Sequence, residues 1–418
     1  MYRALFVLFF FFSLAFGSYA SAEELKLQDL IDEALAKSPE ILASQYRVSA
    51  SQYRIPQAKS LPDPMVMFGY QNEGWSRYSF GEMQMSWWMF SASQMVPFPG
   101  KLALRGEMAA RESESLRAVY DSSRLKVVNK VKELYYDLFL AYKNIDLLGD
   151  RTALFSRIED AATARYSSGM GLQQEVLMAQ TEKYMLLEKE EMQKQKIQSL
   201  EAMLNSTIGR EVNSSLGRPS EPFPTAYARS MDELLKMAYE NSPEIRSKER
   251  MVAASEAKVR MAEKEYYPDF TITGNVMKRK GDFEDMWSLT TAINIPLFYK
   301  TKQRQAVNEA KALLSEARNE LEATKLMLAS TIRDNYSMLK SAERLMELYR
   351  DGLIPKTYQD FESAIAGYST GKVEALTVIS RLKALIDFET LYWAQFVEKG
   401  KAAARVEAMV GIREPGGR

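Results

Sequence analysis

Cysteine and histidine are both absent from the 418 residues. The first absence removes disulfides, thiolate metal ligands and cysteine nucleophiles together. The second removes the commonest general base and the commonest transition-metal ligand. Charge of either sign is not in excess, with 55 basic against 55 acidic residues, so no overall field points to nucleic acid. Beyond the N-terminal segment there is no run of about 20 apolar residues, the length that a membrane helix needs. A chain that crosses a membrane without such a run must do so as a closed β-barrel. No phosphate-binding glycine loop, nucleophile elbow or metal motif is present, and carboxylates alone could support little beyond glycoside hydrolysis. The expectation is a protein that is not an enzyme, with no cofactor and no metal held by the chain.

What is present is a duplication. Asp29-Leu30-Ile31-Asp32-Glu33-Ala34 through Ser38-Pro39-Glu40-Ile41 returns as Glu233-Leu234-Leu235-Lys236-Met237-Ala238 through Ser242-Pro243-Glu244-Ile245. Pro64 returns as Pro268, Val96-Pro97-Phe98 as Ile295-Pro296-Leu297, and Arg165-Tyr166-Ser167-Ser168-Gly169 as Gly367-Tyr368-Ser369-Thr370-Gly371. The landmarks keep their order at offsets of 199 to 204 residues, so each half repeats one plan of helix, strands and long helices. Residues 1–22 read as a secretory signal: Arg3, an apolar stretch from Ala4 to Phe16, then Ala20-Ser21-Ala22. A retained anchor is the other reading of that stretch, but it is short for a membrane span.

The first repeat is expected over 23–208, with helices in 26–60, strands at 65–70 and 83–96, and a helical hairpin at 101–206. A linker rich in glycine and proline covers 209–229. The second repeat is expected over 230–410, with helices in 231–266, strands at 270–277 and 286–295, and a hairpin at 300–409. A tail of 411–418 follows. Ser38 and Ser242 are placed to cap the helices that begin at Pro39 and Pro243, where proline's missing N–H costs nothing. Two prolines in Leu61-Pro62-Asp63-Pro64 stop the helix ahead of the strands.

The strand segments change period from 3.6 to 2. Odd positions are apolar in Met83-Gln84-Met85-Ser86-Trp87-Trp88-Met89, even ones in Phe270 to Val276, and odd ones again in Trp287 to Ile295. An ordinary sheet with one buried face would show the same alternation. If the strands instead lie in lipid, four cannot close a barrel, and an open edge costs several kcal/mol per unsatisfied group. Several chains must then join, and the count of two or three stays open. The methionines Met65, Met67, Met83, Met85, Met89 and Met95 raise the thought of a soft metal. Methionine also fills apolar faces, and those with lipid-face parity would not meet a lumen.

The helical hairpins are charged, alanine-rich and long, about 100 Å for some 65 residues, and would pack at shallow angles as in coiled coils. Together with the Ser-Pro-Glu breaks, the joints Val96-Pro97-Phe98-Pro99-Gly100-Lys101 and Ile295-Pro296-Leu297-Phe298, and the tips Tyr166-Ser167-Ser168-Gly169-Met170-Gly171-Leu172 and Tyr368-Ser369-Thr370-Gly371-Lys372-Val373, they define a pattern. Across nearly its whole mature length the chain resembles the TolC-like outer-membrane efflux proteins, with Pro99-Gly100-Lys101 and Leu353-Ile354-Pro355 most similar to the heavy-metal and cation branch.

That resemblance implies a mainly α fold with a small β part. Long helical hairpins would form a periplasmic α-barrel, and four strands per chain would contribute to a trimeric, twelve-stranded β-barrel in outer-membrane lipid. It implies a homotrimer acting as a passive conduit, partnered by a periplasmic adaptor and an inner-membrane pump, commonly proton-driven, with no nucleic acid. Metal cations are then candidate cargo, while type I protein secretion uses the same kind of conduit. A periplasmic coiled-coil adaptor or scaffold is the remaining alternative, although adaptors usually carry one hairpin and this chain has two.

The resemblance also implies site residues. The tips Tyr166, Gly169, Gly171, Leu172, Tyr368 and Gly371 would dock the adaptor. The family's gate aspartates correspond here to Glu175 and Thr377, with Ser380 at a further acidic position, so the acidic constriction is thinned and Glu374 is a candidate substitute. Tyr368 is expected to bond Glu175 and hold the channel shut. Gly352 and Pro355 have no counterpart pair in the first repeat, whose Gly149 stands alone, so the second hairpin is expected to carry the hinge.

Overall fold

The computed structural model describes residues 24–222 and 229–412. The signal reading of 1–22, part of the inter-repeat linker and most of the C-terminal tail lie outside the described residues. The first repeat runs α1 (Leu27–Lys37), α2 (Pro39–Lys59), β1 (Met65–Gln71), β2 (Trp87–Val96), α3 (Lys101–Ser167) and α4 (Gln173–Ile208). The second repeats the order as α5 (Met231–Asn241), α6 (Pro243–Lys264), β3 (Asp269–Lys278), β4 (Met286–Asn294), α7 (Gln303–Glu347), α8 (Ile354–Ser369) and α9 (Ala375–Val410).

Pro39 and Pro243 stand at the start of α2 and α6. Ser38 and Ser242 occupy the cap positions, but their hydroxyls accept no helix N–H, contrary to the capping expectation. Their backbones serve instead: the Ser38 N–H donates to the Ala34 carbonyl while its own carbonyl accepts from Leu42. A reciprocal capping box does form one helix earlier, where Ser230 and Glu233 open α5. The ends of the repeats match closely. Gly209 and Gly411 both adopt positive φ after α4 and α9. A Cβ on either would lie 2.7 Å from the carbonyl oxygen of Lys37 or Asn241, each at or near the C-terminus of its repeat's first helix.

The four strands form one antiparallel sheet in the order β1-β2-β3-β4, so the two repeats fuse through β2 and β3 and leave β1 and β4 as edges. Pairing in β2 begins at Trp87, not at residue 83; residues 83–86 belong to the preceding turn, where Ser86 N–H bonds the Met83 carbonyl. This shift reverses the expected parity of that strand. Trp88, Phe90 and Val96 are opposite Lys278, Val276 and Phe270, whereas odd-numbered Met89, Ser91 and Ser93 are opposite Met277, Asn275 and Thr273. One face therefore gathers Val66, Phe68, Phe90, Val276, Ile272, Trp287, Leu289 and Ile293, and the other gathers Ser91, Ser93, Thr273, Asn275, Ser288 and Thr290. The apolar face is bare, with Trp287 79% and Leu289 69% exposed.

The sheet joins the helices through a buried ion pair. Lys101, 1% exposed at the first turn of α3, reaches Asp269 at 2.9 Å and Glu265 at 3.2 Å, and donates to the Tyr267 carbonyl at 3.1 Å. Asp269 also accepts the Phe98 N–H at 2.7 Å. Below this joint α3 runs unbroken for 67 residues, about 100 Å. The corresponding stretch of the second repeat is interrupted by a wide, π-type turn over Leu348–Leu353, immediately ahead of α8. Proline explains the interruption. Pro355 has no N–H to donate, and its ring crowds the preceding turn, so the ladder opens around Gly352. No helix among the described residues is long and apolar enough to cross a membrane.

Candidate functional site

At the end of the hairpins remote from the sheet, α3, α4, α8 and α9 converge on one apolar cluster that includes Phe155, Ile158, Phe361, Tyr368, Leu382 and Leu385. The helices turn there through Gly169 and Gly371, both at positive φ, which glycine adopts without Cβ strain. The sequence-equivalent tyrosines part company: Tyr166 is 49% exposed, while Tyr368 is completely buried. Gly171 lies against Arg165 and Glu175, and Leu172 is exposed at the start of α4.

The Tyr368 hydroxyl donates to Glu175 Oε2 at 3.0 Å, joining α8 of the second repeat to the first turn of α4 in the first. The N-terminal position suits Glu175, because the free N–H groups of that turn favour negative charge. Burial, then the hydrogen bond and negative charge of Glu175, push the Tyr368 hydroxyl up to about 12, with the Arg165 cation opposing. Glu374 and Thr377 do not join this bond. Glu374 is exposed at the N-cap of α9 without a side-chain cap bond, and Thr377 is half-buried with its N–H on the Glu374 carbonyl.

Arg165 completes the contact and was not among the residues expected here. Its Nη1 donates to the Tyr368 carbonyl at 2.6 Å and its Nη2 to the Met170 carbonyl at 3.0 Å. The guanidinium stands 4.8 Å from the Tyr368 ring centroid. The sequence did hold a signal, since the repeat aligns Arg165 with Gly367 and so marks it as the point where the tips differ. Tyr368, Glu175 and Arg165 together form a clasp between the repeats. Among the described residues no group of carboxylates has the geometry to hold a metal ion.

Comparison with known proteins agrees with this architecture. The sequence profile of the outer membrane efflux protein family matches residues 30–210 and 234–382. The cobalt-zinc-cadmium resistance protein CzcC of Cupriavidus metallidurans is 21% identical over 334 residues, 77% of each chain. Among solved structures, the outer-membrane channel OprN superposes with a TM-score of 0.79 at 16% identity, covering 92% of this chain and 89% of that one. CusC gives 0.79 at 13% identity over 92% and 91%, and VceC of Vibrio cholerae 0.78 at 16% over 92% and 96%. The duplicated hairpins, the fused four-stranded sheet and these matches make the chain a member of the outer membrane efflux protein family, with the TolC-like fold.

Proposed function

We propose that the protein is the outer-membrane channel of a tripartite efflux system, a homotrimer that conducts passively what an inner-membrane pump and a periplasmic adaptor deliver. The observation that carries this reading is the sheet: one bare apolar face, one polar face, and two unpaired edges at β1 and β4. Lipid accepts the apolar face but not the edges, whose unsatisfied groups cost several kcal/mol each. Joining β4 of one chain to β1 of the next removes every edge, and three copies make a twelve-stranded ring with the polar face inside and room for a lumen. The helices then extend about 100 Å into the periplasm, ending in the tips that carry Tyr166, Gly169, Gly171, Leu172 and Gly371. These tips are the proposed adaptor-docking surface. The similarity to CzcC supports metal cations as cargo.

The clasp is the proposed gate. A hydrogen bond to a charged group is worth about 1.5–3 kcal/mol, so three copies weigh substantially on an opening equilibrium. The wide turn before Pro355 gives the second hairpin a place to bend, whereas α3 runs without interruption. Reconstitution in planar bilayers tests both levels. The wild-type protein should form ion-conducting pores, and Glu175→Gln or Tyr368→Phe should raise single-channel conductance. Unchanged conductance in both variants would remove the gate; absence of any pore would remove the channel.

A further inference from the structure

The register of the sheet brings together three methionines that are scattered in sequence. Met89 of β2 lies directly opposite Met277 of β3, and Met277 directly opposite Met286 of β4. Opposite residues of antiparallel strands share a face with Cβ atoms about 4.5–5.5 Å apart, within reach of flexible thioethers that turn toward one ion. The row ends at Gly69 of β1, opposite Met89. There the Met89 terminal methyl lies 3.9 Å from where a Cβ on Gly69 would be, so the thioether rests over the smallest residue of the row.

The face they occupy is the informative part. Methionine used as apolar filler belongs on the face of Val276, Phe90 and Leu289. These three, like Met65, Met67 and Met95, stand on the opposite face, and they alone of the six stand directly opposite one another, half-buried beside Ser91, Asn275 and Ser288. The row also lies close to the strand ends that lead into the loops between β1 and β2 and between β3 and β4, remote from the helices. With no cysteine and no histidine anywhere in the chain, thioethers are its only soft side-chain donors.

We propose that Met89, Met277 and Met286 form a binding site for a soft monovalent cation, Cu(I) or Ag(I), at the outer mouth of the channel. The inference rests on the barrel reading, because only ring closure turns the polar face into a lumen. Three chains would then present three such clusters, nine thioethers in all, near the mouth through which a departing ion leaves. Neutral donors hold such an ion without a carboxylate's charge, which suits a site that must release what it binds.

Ag(I) is the probe, titrated calorimetrically into the full-length protein purified in detergent. The variants are Met89→Leu/Met277→Leu/Met286→Leu and, as control on the same face but outside the row, Met65→Leu/Met67→Leu. Leucine is close to volume-conserving, so folding is retained. The triple variant should lose about one Ag(I) per chain or weaken its binding at least about tenfold. The control should bind as wild type, and all three proteins should conduct equally in planar bilayers. Equal silver binding by wild type and triple variant, with normal conductance, would overturn the thioether site and leave the channel intact. A loss in the control as large as in the triple variant would overturn it equally. A wild-type protein that forms no pore would instead overturn the barrel, and the lumenal site with it.

Discussion

Two side chains carry charge or hydroxyl into places where water is excluded, and each does so because a specific partner waits there. Lys101 is buried at the joint between sheet and helices, where Asp269, Glu265 and a backbone carbonyl use all three of its donors. Removing one member of such a pair strands the other, which costs far more than the pair contributes. Lys101→Ala should therefore destabilise the protein by about 3 kcal/mol, read as a fall in denaturation midpoint. Replacing Lys101 and Asp269 together with apolar residues should recover much of that loss. Tyr368 is the second case. Its hydroxyl is held protonated up to about 12 against an ordinary 10, so closure of the proposed gate would favour the neutral form. Below pH 10 the phenol is neutral whether the tip is closed or open, and the clasp is fully present. As pH rises from 10 through 12 an open tip would ionise first, and closure of the proposed gate would be progressively lost. Conductance measured across that range should climb in the wild type and stay flat, from a higher baseline, in Tyr368→Phe.

At the scale of elements, each repeat is locked by the end of its last helix against the end of its first. Gly209 after α4 sits on the Lys37 carbonyl, and Gly411 after α9 sits on the Asn241 carbonyl. Both have positive φ, so an alanine would meet left-handed strain of about 1 kcal/mol and a backbone clash together. Gly209→Ala and Gly411→Ala should each lower the melting temperature, whereas Gly149→Ala should not. Gly149 lies inside α3 with a negative φ and, among the described residues, nothing within 4 Å of a Cβ position. There the helix propensity of alanine favours the substitution. Circular dichroism melts of the three variants separate these outcomes. The same contrast distinguishes the two hairpins, since Gly149 leaves α3 continuous while Gly352 shares its segment with Pro355 and the wide turn.

For the whole molecule the consequence of the sheet is assembly. Its two edges and bare apolar face predict that the protein leaves membranes only in detergent. They also predict that it migrates as an oligomer until heated. Because the chain has no cysteine, introduced pairs report contacts without background. Single thiols walked along β1 and β4, such as Phe68→Cys combined with Leu289→Cys, should cross-link neighbouring copies at one register. The expected product in denaturing gels is a ladder ending at three chains. A ladder ending at two would point to an eight-stranded ring.

Much of this protein was legible from residue order alone because its constraints are local and repeated. Proline ends helices, glycine turns them, period 3.6 or 2 marks helix or strand, and a duplication states each rule twice. The helices, the four strand segments, the tips and the Tyr368 and Glu175 pair all follow from such local signals or from the resemblance they carry. What local pattern could not decide was which residues of different strands stand side by side. The alternation before Trp87 belonged to a turn, so the parity of β2 came out reversed until pairing with β3 assigned its faces. Arg165 likewise became a clasp residue only when α3 and α8 met, and Met89, Met277 and Met286 became a row only through register. Period is a property of one segment, whereas a face shared between segments is chosen by the backbone hydrogen bonds that align them.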